Sequence, residues 1–222
     1  ARGILPHANL QIAVAALPTP GVVWLMVPAG QVVDDTLAQL RPLLSAGDIV
    51  IDGDNSNYKD TQRRPKDLDD AGIRYVDCGT SGGVWGLAEG YSLMIGGDAD
   101  AVDTLRPVFT TLAPTPDTGW GRVGPSGAGH FAKMIHNGIE YGMMQAFAEG
   151  FAILKKKEAM DFDLGALAEI WRHGSVVRSW LLDLTANALR KNPDMAGIAP
   201  YVSDSGEGRW TVAEAIELDV SA

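Results

Sequence analysis

The chain has 222 residues, 46% of them hydrophobic, and carries a formal net charge of −10 at pH 7. This length and apolar content suffice for one large domain or two small ones, each with a buried core. The acidic balance argues against nucleic acid or an anionic membrane as a partner, and no apolar run approaches the length that crosses a bilayer.

Strand-like and helical segments alternate through the first half of the chain. After a short helical pattern at 8–17, apolar and β-branched segments predict strands at 21–28, 48–54, 73–79 and 92–95. Further helical patterns lie between and after the strands, at 33–44, 57–71 and 101–112. Gly72 is expected to end the second of these, and Pro107 to kink or delay the third. This alternation predicts an α/β fold with a parallel sheet and helical crossovers.

Three small, polar, glycine-bearing loops leave the carboxyl ends of the predicted strands, where ligands gather in such sheets. The loops are residues 28–30, 53–56 and 79–83. Ser81 is suited to bind a hydroxyl or carboxylate, and Asn55 to bridge a cofactor and a substrate. Two of these loops also have a purely structural interpretation. GTSGG could be a flexible turn, and DGDNS could form an Asx-type turn that starts the next helix.

The second half of the chain is predicted to be all-helical. The sequence divides near Gly124, into 1–124 and 125–222, and a long helix follows that reaches as far as Lys157. Later helical patterns lie at 164–172, 176–189 and 212–218. Before the last of them, Arg209 is expected in a glycine-rich loop. Arginine suits bidentate contact with phosphate, although a plain surface charge is the simpler interpretation.

The long helix carries five different polar side chains on one face. Lys133, His136, Asn137, Glu140 and Tyr141 fall within roughly 140° of arc when each residue turns ~100°. A lysine removed from water can act as a base and a glutamate as an acid, while the other three can orient hydroxyls or bind a phosphate or carboxylate. The alternative is an ordinary solvated face with incidental charges.

Cysteine and histidine usage limits the chemistry further. The single cysteine, Cys78, excludes a disulfide within the chain. No base is placed near it by the sequence, which favours a small buried residue over a nucleophile. Without a signal peptide in these residues, the reducing cytoplasm is the expected location. The four histidines show no metal-ligand spacing, so no metal site is predicted.

One motif that such a sheet requires is missing from these residues. A dinucleotide-binding sheet needs a glycine-rich strand-to-helix turn, G-x-G-x-x-G, that receives the pyrophosphate. The chain contains no such turn, begins at Ala1 without methionine and ends after a helical pattern. We therefore expect either part of a longer protein or a truncated one.

Taken together, the segments resemble the 6-phosphogluconate dehydrogenase family, in its short form. The resemblance extends from about Val22 to the end of the chain and rests on VWLMVPAG, IDGDNSNYKDTQRR, VDCGTSGGVWGLAEGYSLMIGG, GAGHFAKMIHNGIEYGMMQAFAEGF, GSVVRSWLLDL and SGEGRWT. The combination of SGGVWG with KMIHNGIEYG is highly specific. The resemblance implies a partial Rossmann-like parallel sheet, followed by an all-helical domain for substrate binding and dimerisation.

The resemblance also implies an activity: NAD- or NADP-dependent oxidative decarboxylation of 6-phosphogluconate to ribulose 5-phosphate and CO₂. Lys133 matches the base that takes the proton of the 3-hydroxyl, and Glu140 matches the acid that assists protonation at C1. The matching substrate-binding positions are Asn55, Ser81, Gly82, Gly83, His136, Asn137, Tyr141 and Arg209. The matching cofactor contacts are Val27, Pro28, Ala29 and Asn55. The implied partners are the small-molecule substrate and further copies of the chain, in a homodimer or homotetramer.

The sequence departs from the family pattern at three positions. Pro28 stands where the NADP-dependent long forms commonly carry lysine, which leaves the choice between NAD and NADP open. Arg209 also replaces a usual lysine, and Asp54 replaces the glycine of DGGNS.

Two other functions stay open beside this one. The first is that of a related β-hydroxyacid dehydrogenase, such as one acting on 3-hydroxyisobutyrate, against which His136, Glu140 and Tyr141 together argue. The second is a non-catalytic remnant that binds sugar phosphates or oligomerises without a cofactor. Turnover of a phosphorylated sugar acid with release of CO₂ would separate 6-phosphogluconate dehydrogenase from the related β-hydroxyacid dehydrogenase. Failure of the full-length chain to bind a nicotinamide cofactor would favour the non-catalytic remnant.

Overall fold

The structure is a computed structural model that describes residues 4–221. The chain forms two compact units, which divide between His136 and Asn137. Among the described residues, no helix combines the length and the apolar character needed to cross a membrane.

The first unit is built on a five-stranded sheet. Its strands are β1 (Val22–Leu25), β2 (Ile49–Asp52), β3 (Arg74–Ser81), β4 (Ser92–Gly96) and β5 (Trp120–Gly124). They lie across the sheet in chain order, and all neighbours are parallel except β3 and β4. The predicted α/β class is confirmed.

Two features of this sheet differ from the sequence prediction. The pairing of β3 with β4 is antiparallel, because the link between them is too short for a crossover, which takes a dozen or more residues. The strand β5 was not predicted, since WGRVG combines two glycines with an arginine and has a weak strand pattern. It nevertheless pairs with β4 and extends the sheet.

Short helices connect the strands of the first unit. They are α1 (Leu10–Ala15), α2 (Gln31–Leu40), α3 (Tyr58–Arg63), α4 (Pro65–Asp69), α5 (Gly86–Glu89), α6 (Ala99–Thr104) and α7 (Arg106–Leu112). The single helix predicted over 57–71 is wrong, because Pro65 begins a second helix there. Pro107 likewise lies in the first turn of α7. The helical pattern at 101–112 is therefore interrupted near this proline, as predicted, and forms the separate helices α6 and α7.

Both faces of the sheet are buried, which explains the continuous apolar character of its strands. Along β2, Ile49 and Ile51 belong to one core cluster, whereas Val50 between them belongs to the other. Along β3, Tyr75 and Val76 divide between the clusters in the same way. Alternating side chains of each strand therefore point to opposite layers of helices.

The division between the two units falls within α8 (Ala128–Lys156), a helix of 29 residues. The second unit continues with α9 (Leu164–Arg172), α10 (Trp180–Lys191) and α11 (Glu207–Glu217), and no strand occurs within residues 137–221. Its core is formed by Phe151, Ala168, Leu182, Ala186 and Leu189. The predicted bounds of α9 are confirmed at both ends. At its N-terminus, Asp163 caps the helix by accepting the N–H of Ala166.

Two helix starts in this unit were predicted wrongly. The helix α10 begins at Trp180, after Ser179 as its N-cap, and not at Val176. The helix α11 begins at Glu207. Arg209 therefore lies in the first turn of a helix and not in a loop, because Gly206 supplies the positive φ (93°) at which the loop ends.

We expect the thiol of Cys78 to be unreactive in the folded protein. Cys78 lies in β3 with no exposed surface, and burial raises the pKa of its thiol to about 12. Alkylation at about pH 8.5 is expected to run at least a thousandfold more slowly in the native than in the unfolded protein, because only the thiolate reacts. Between that pH and the folded pKa only the unfolded thiol ionises, so rising pH also lowers the free energy of unfolding.

The measurement is the time course of iodoacetamide incorporation, followed by mass spectrometry in buffer and in urea. With one cysteine in the chain, each modified molecule reports on this site alone. Equal rates in the two conditions would show that Cys78 is accessible in the native state.

Candidate active site

The loop after β1 leaves the carboxyl end of that strand and is partly exposed. Pro28 and Ala29 are exposed and Val27 is half-buried. Gly30 ends the loop as the N-cap of α2, with a φ of 91° that favours glycine. No side chain caps this helix start, so the first turn of α2 presents N–H groups of the kind that bind anions.

Asn55, in the loop after β2, is held against the neighbouring strand. Its side-chain oxygen accepts the N–H of Thr80 at 3.2 Å, and the Thr80 hydroxyl donates to the carbonyl of Gly53 at 3.4 Å. The Asx-type cap of the following helix is made by Asn57, whose side chain accepts the N–H of Lys59. Asn55 is therefore not used by the helix start and remains half-buried at the sheet edge.

The GTSGG segment is partly strand. β3 continues through Ser81, so the prediction of a loop from Gly79 is wrong for its first three residues. The chain turns only at Gly82 and Gly83, with φ values of 133° and 52°. A Cβ at Gly79 would lie 2.8 Å from the carbonyl oxygen of Gly129 and would also overlap the side chain of Lys133. Glycine at this position lets α8 approach the strand.

Lys133, His136 and Ser81 come together at the end of β3. The Lys133 amine lies 3.5 Å from Nδ1 of His136, and Nε2 of the same ring lies 3.3 Å from the Ser81 hydroxyl. Lys133 is only 5% exposed, so the interpretation of an ordinary solvated face is wrong for this residue. A buried amine beside an imidazole and a hydroxyl is an arrangement for moving protons.

A buried carboxylate fixes the start of α8 on the sheet. Asp77, in β3 and fully buried, accepts the N–H of Gly127 at 2.7 Å and that of His130 at 2.9 Å. These two N–H groups belong to the N-terminus of the helix, where acceptors and negative charge are stabilising. Asp77 thereby sets the position of the turn that leads to Lys133.

The other helix-borne candidates belong to the second unit. The amide nitrogen of Asn137 donates to Glu207 in α11. The Tyr141 hydroxyl lies 3.5 Å from that of Ser205, and the Tyr141 ring packs over Gly208. Glu140 is half-buried.

Arg209, also in the second unit, forms an ion pair with an acidic neighbour. Its guanidinium pairs with Asp204 at 2.9 Å, with 69% of the arginine side chain exposed. The contact with phosphate that the resemblance implies for Arg209 stays a prediction.

Sequence reasoning missed two residues that hold candidate side chains, Asp77 in the first unit and Glu207 in the second. Asp77 was detectable as the acidic residue within an otherwise apolar strand, YVDC, since a buried charge is retained only with partners. Glu207 shows in the sequence only as the other charged residue of SGEGRW, besides Arg209, and nothing local indicates its contact with Asn137. Among residues 4–221, no group of three or more histidine, cysteine, aspartate or glutamate side chains is placed to hold a metal ion.

The mostly parallel sheet, with glycine-bearing loops at the ends of its strands, has the architecture of a dinucleotide-binding domain. Residues 1–121 match the family model described as the NAD binding domain of 6-phosphogluconate dehydrogenase. Residues 129–222 match the model for the C-terminal domain of the same enzyme. The chain belongs to the 6-phosphogluconate dehydrogenase family, which confirms the resemblance seen in its segments.

Relatives extend this assignment. A Haloferax volcanii protein named 6-phosphogluconate dehydrogenase, NAD(+)-dependent, decarboxylating is 47% identical over 89% of this chain and 65% of its own length. A solved Plasmodium falciparum 6-phosphogluconate dehydrogenase, described in complex with NADP+ and with 6-phosphogluconate, has a TM-score of 0.87 and 31% identity over 96% of this chain. The chain spans 47% of that structure.

A Mycobacterium tuberculosis 3-hydroxyisobutyrate dehydrogenase shares the fold, with a TM-score of 0.75 and 21% identity over 97% of this chain and 73% of its own.

Proposed function

We propose that the full-length protein catalyses the oxidative decarboxylation of 6-phosphogluconate to ribulose 5-phosphate and CO₂, with NAD or NADP as hydride acceptor. Residues 1–124 would serve the cofactor, and 125–222 would bind the substrate and form the subunit interface. The observation that carries this proposal is the buried Lys133 amine, 3.5 Å from His136, whose ring in turn lies 3.3 Å from Ser81. Family membership supplies the reaction.

The hydrogen bonds give each member of this cluster a direction. A protonated lysine only donates, so Nδ1 of His136 accepts from it and Nε2–H of the neutral ring donates to the Ser81 oxygen. The Ser81 hydroxyl then has its own proton to donate to a substrate oxygen. When Lys133 is neutral, its lone pair is the base that takes the proton of the 3-hydroxyl.

The remaining steps follow from the electrons left on the substrate. Loss of a hydride and a proton at C3 gives a 3-keto acid, whose C1–C2 bond breaks with release of CO₂. The bond electrons form an enediol, which the charged Lys133 beside the new carbonyl stabilises. In this proposal Glu140 donates the proton to the carbon that becomes C1 of the product. Asn55, Gly82, Gly83, His136, Asn137, Tyr141 and Arg209 bind the sugar acid and its phosphate.

The first unit fits the cofactor at the carboxyl ends of β1 and β2. When bound there, NAD or NADP supplies the hydride acceptor. Val27, Pro28 and Ala29 would contact it next to the start of α2, which no side chain caps. Asn55, already held on β3 through Thr80, would contact both cofactor and substrate.

The test is release of labelled CO₂ from 6-phosphogluconate carrying carbon isotope at C1. The full-length protein is expected to release one CO₂ for each cofactor reduced. A parallel incubation with 3-hydroxyisobutyrate, which carries no phosphate, is expected to give no turnover. Turnover of 3-hydroxyisobutyrate alone would favour the related β-hydroxyacid dehydrogenase. Binding of 6-phosphogluconate without turnover or cofactor binding would favour a non-catalytic remnant.

The proposed assembly is a homodimer or homotetramer. Exposed apolar side chains on helices of the second unit support it; Ile139, Ile153 and Ile170 are 62%, 71% and 66% exposed. Light scattering of the full-length protein would measure the subunit number, and a monomer at micromolar concentration would overturn this part. A cytoplasmic location stays a prediction, which cell fractionation tests.

A further inference from the structure

Arg64 is a buried arginine that lies between the two proposed cofactor loops. It begins α4 as its N-cap and is 4% exposed. We propose that Arg64 is a positioning residue, which holds the loop after β1 and the loop after β2 in the geometry that binds the nicotinamide cofactor. This inference rests on the proposed function, since the loops are assigned to the cofactor there.

The first set of contacts fixes the loop after β1. One terminal nitrogen of Arg64 donates to the carbonyl oxygen of Gly30 at 3.1 Å. Its Nε donates to Asp34, in the first turn of α2, at 2.9 Å. Burial raises the pKa of the Asp34 carboxyl, but the hydrogen bonds from Arg64 and Arg63 more than offset this and hold the pKa below its usual value. Asp34 is therefore ionised at neutral pH, and the pair holds the start of α2.

The second set of contacts fixes the loop after β2. The other terminal nitrogen of Arg64 donates to Asp52, the last residue of β2, at 3.0 Å. The same Asp52 oxygen accepts from the Ser56 hydroxyl at 2.9 Å and from the Tyr75 hydroxyl at 2.9 Å. Ser56 immediately follows Asn55. Burial and the Asp52 charge raise the pKa of Tyr75 well above its usual value, so its hydroxyl keeps the proton that it donates.

The guanidinium is suited to this task in a way that lysine is not. Arg64 reaches three acceptors in three directions: a carbonyl and two carboxylates on separate segments. A planar fork meets them at once without reorganising, whereas a single ammonium point charge reaches only part of the set. Fixing both loops before the ligand arrives reduces the ordering cost of binding. Its effect is therefore expected on cofactor affinity.

The adjacent Arg63 offers a matched control. It pairs with the same Asp34 at 2.9 Å, but 57% of its side chain is exposed, and among the described contacts it reaches neither Gly30 nor Asp52. The change Arg63→Lys therefore tests loss of a guanidinium on the same helix segment without loss of the bridge between the loops.

The experiment measures dissociation constants for NAD, NADP and 6-phosphogluconate by calorimetry on the full-length protein. Arg64→Lys is expected to raise the dissociation constant of the preferred cofactor by about tenfold, while that of 6-phosphogluconate alone stays within about twofold. Arg63→Lys is expected to leave both within about twofold. A second variant, Asp34→Asn, keeps the buried Arg64–Asp52 contact and is expected to give a smaller rise in the same direction.

The outcomes separate this inference from the proposed function. Binding is measured without turnover, so a wild-type protein that binds the cofactor but does not oxidise 6-phosphogluconate overturns the proposed reaction and still tests Arg64. A folded Arg64→Lys protein with wild-type cofactor affinity overturns the inference. An equal loss of affinity for cofactor and substrate in Arg64→Lys also overturns it. If Arg64→Lys does not fold, unchanged cofactor affinity in Asp34→Asn overturns it as well. A wild-type protein that binds neither cofactor overturns both.

Discussion

Replacement of Lys133 by methionine is expected to lower kcat by about a thousandfold, within the range that general acid–base catalysis contributes. Methionine keeps the length and apolar stem of the side chain, but it can neither take the 3-hydroxyl proton nor place a positive charge by the new carbonyl. Because Lys133 is only 5% exposed, water has little access to replace its amine. The measurement is steady-state reduction of the cofactor with 6-phosphogluconate.

The matched control is the same substitution elsewhere on the same helix. The side chain of Lys156 is 88% exposed at the end of α8, and among residues 4–221 its ion-pair partner is Glu158, at 4.0 Å. Lys156→Met is expected to keep kcat within about twofold, since exposed ion pairs contribute little. A Lys133→Met protein with a native circular dichroism spectrum and near-normal kcat would show that another group is the base.

Replacement of Asp77 by alanine is expected to lower the free energy of unfolding by about 3 kcal/mol. The carboxylate is fully buried and accepts the N–H groups of Gly127 and His130. Alanine leaves both donors without their acceptor and removes the charge that the helix start favours. Asp77→Asn is expected to lose less, because one amide oxygen can still accept. Urea unfolding followed by circular dichroism measures the difference.

The exposed pair of Arg74 with Asp100 provides the comparison. Their closest atoms are 3.5 Å apart, and the Asp100 side chain is 78% exposed. Asp100→Ala is expected to change the free energy of unfolding by less than about 1 kcal/mol. Similar losses for Asp77→Ala and Asp100→Ala would contradict the anchoring role of Asp77.

Local patterns predicted the elements that depend on local chemistry. The helix α9 was found at both ends because an N-cap aspartate and an amphipathic pattern coincide there. The strands β1 to β4 were found because apolar runs bounded by glycine mark buried strands. The parallel pairing of β1 with β2 and of β2 with β3 was predicted correctly. The antiparallel pairing of β3 with β4 and the strand β5 were not predicted, because the first depends on the length of the connection and the second on backbone hydrogen bonds to β4.

The candidate site shows the same division. Helical spacing placed Lys133 and His136 three residues apart on one face, and the structure brings them together with Ser81. The sequence did not indicate that Asp77 anchors this helix or that Arg64 joins two loops, because each contact links residues far apart in the chain. Arg209 was placed in a loop because the two glycines that precede it, Gly206 and Gly208, obscured the helix start.

The most direct measurement is absorbance at the reduced-nicotinamide band, with the full-length protein, 6-phosphogluconate and either NAD or NADP. The proposed function predicts an increase that requires both substrate and cofactor and that is lost in Lys133→Met. The cofactor that is reduced faster identifies the preference between NAD and NADP, which Pro28 leaves open. No increase with either cofactor, in a folded full-length protein, would contradict the proposed oxidation of 6-phosphogluconate.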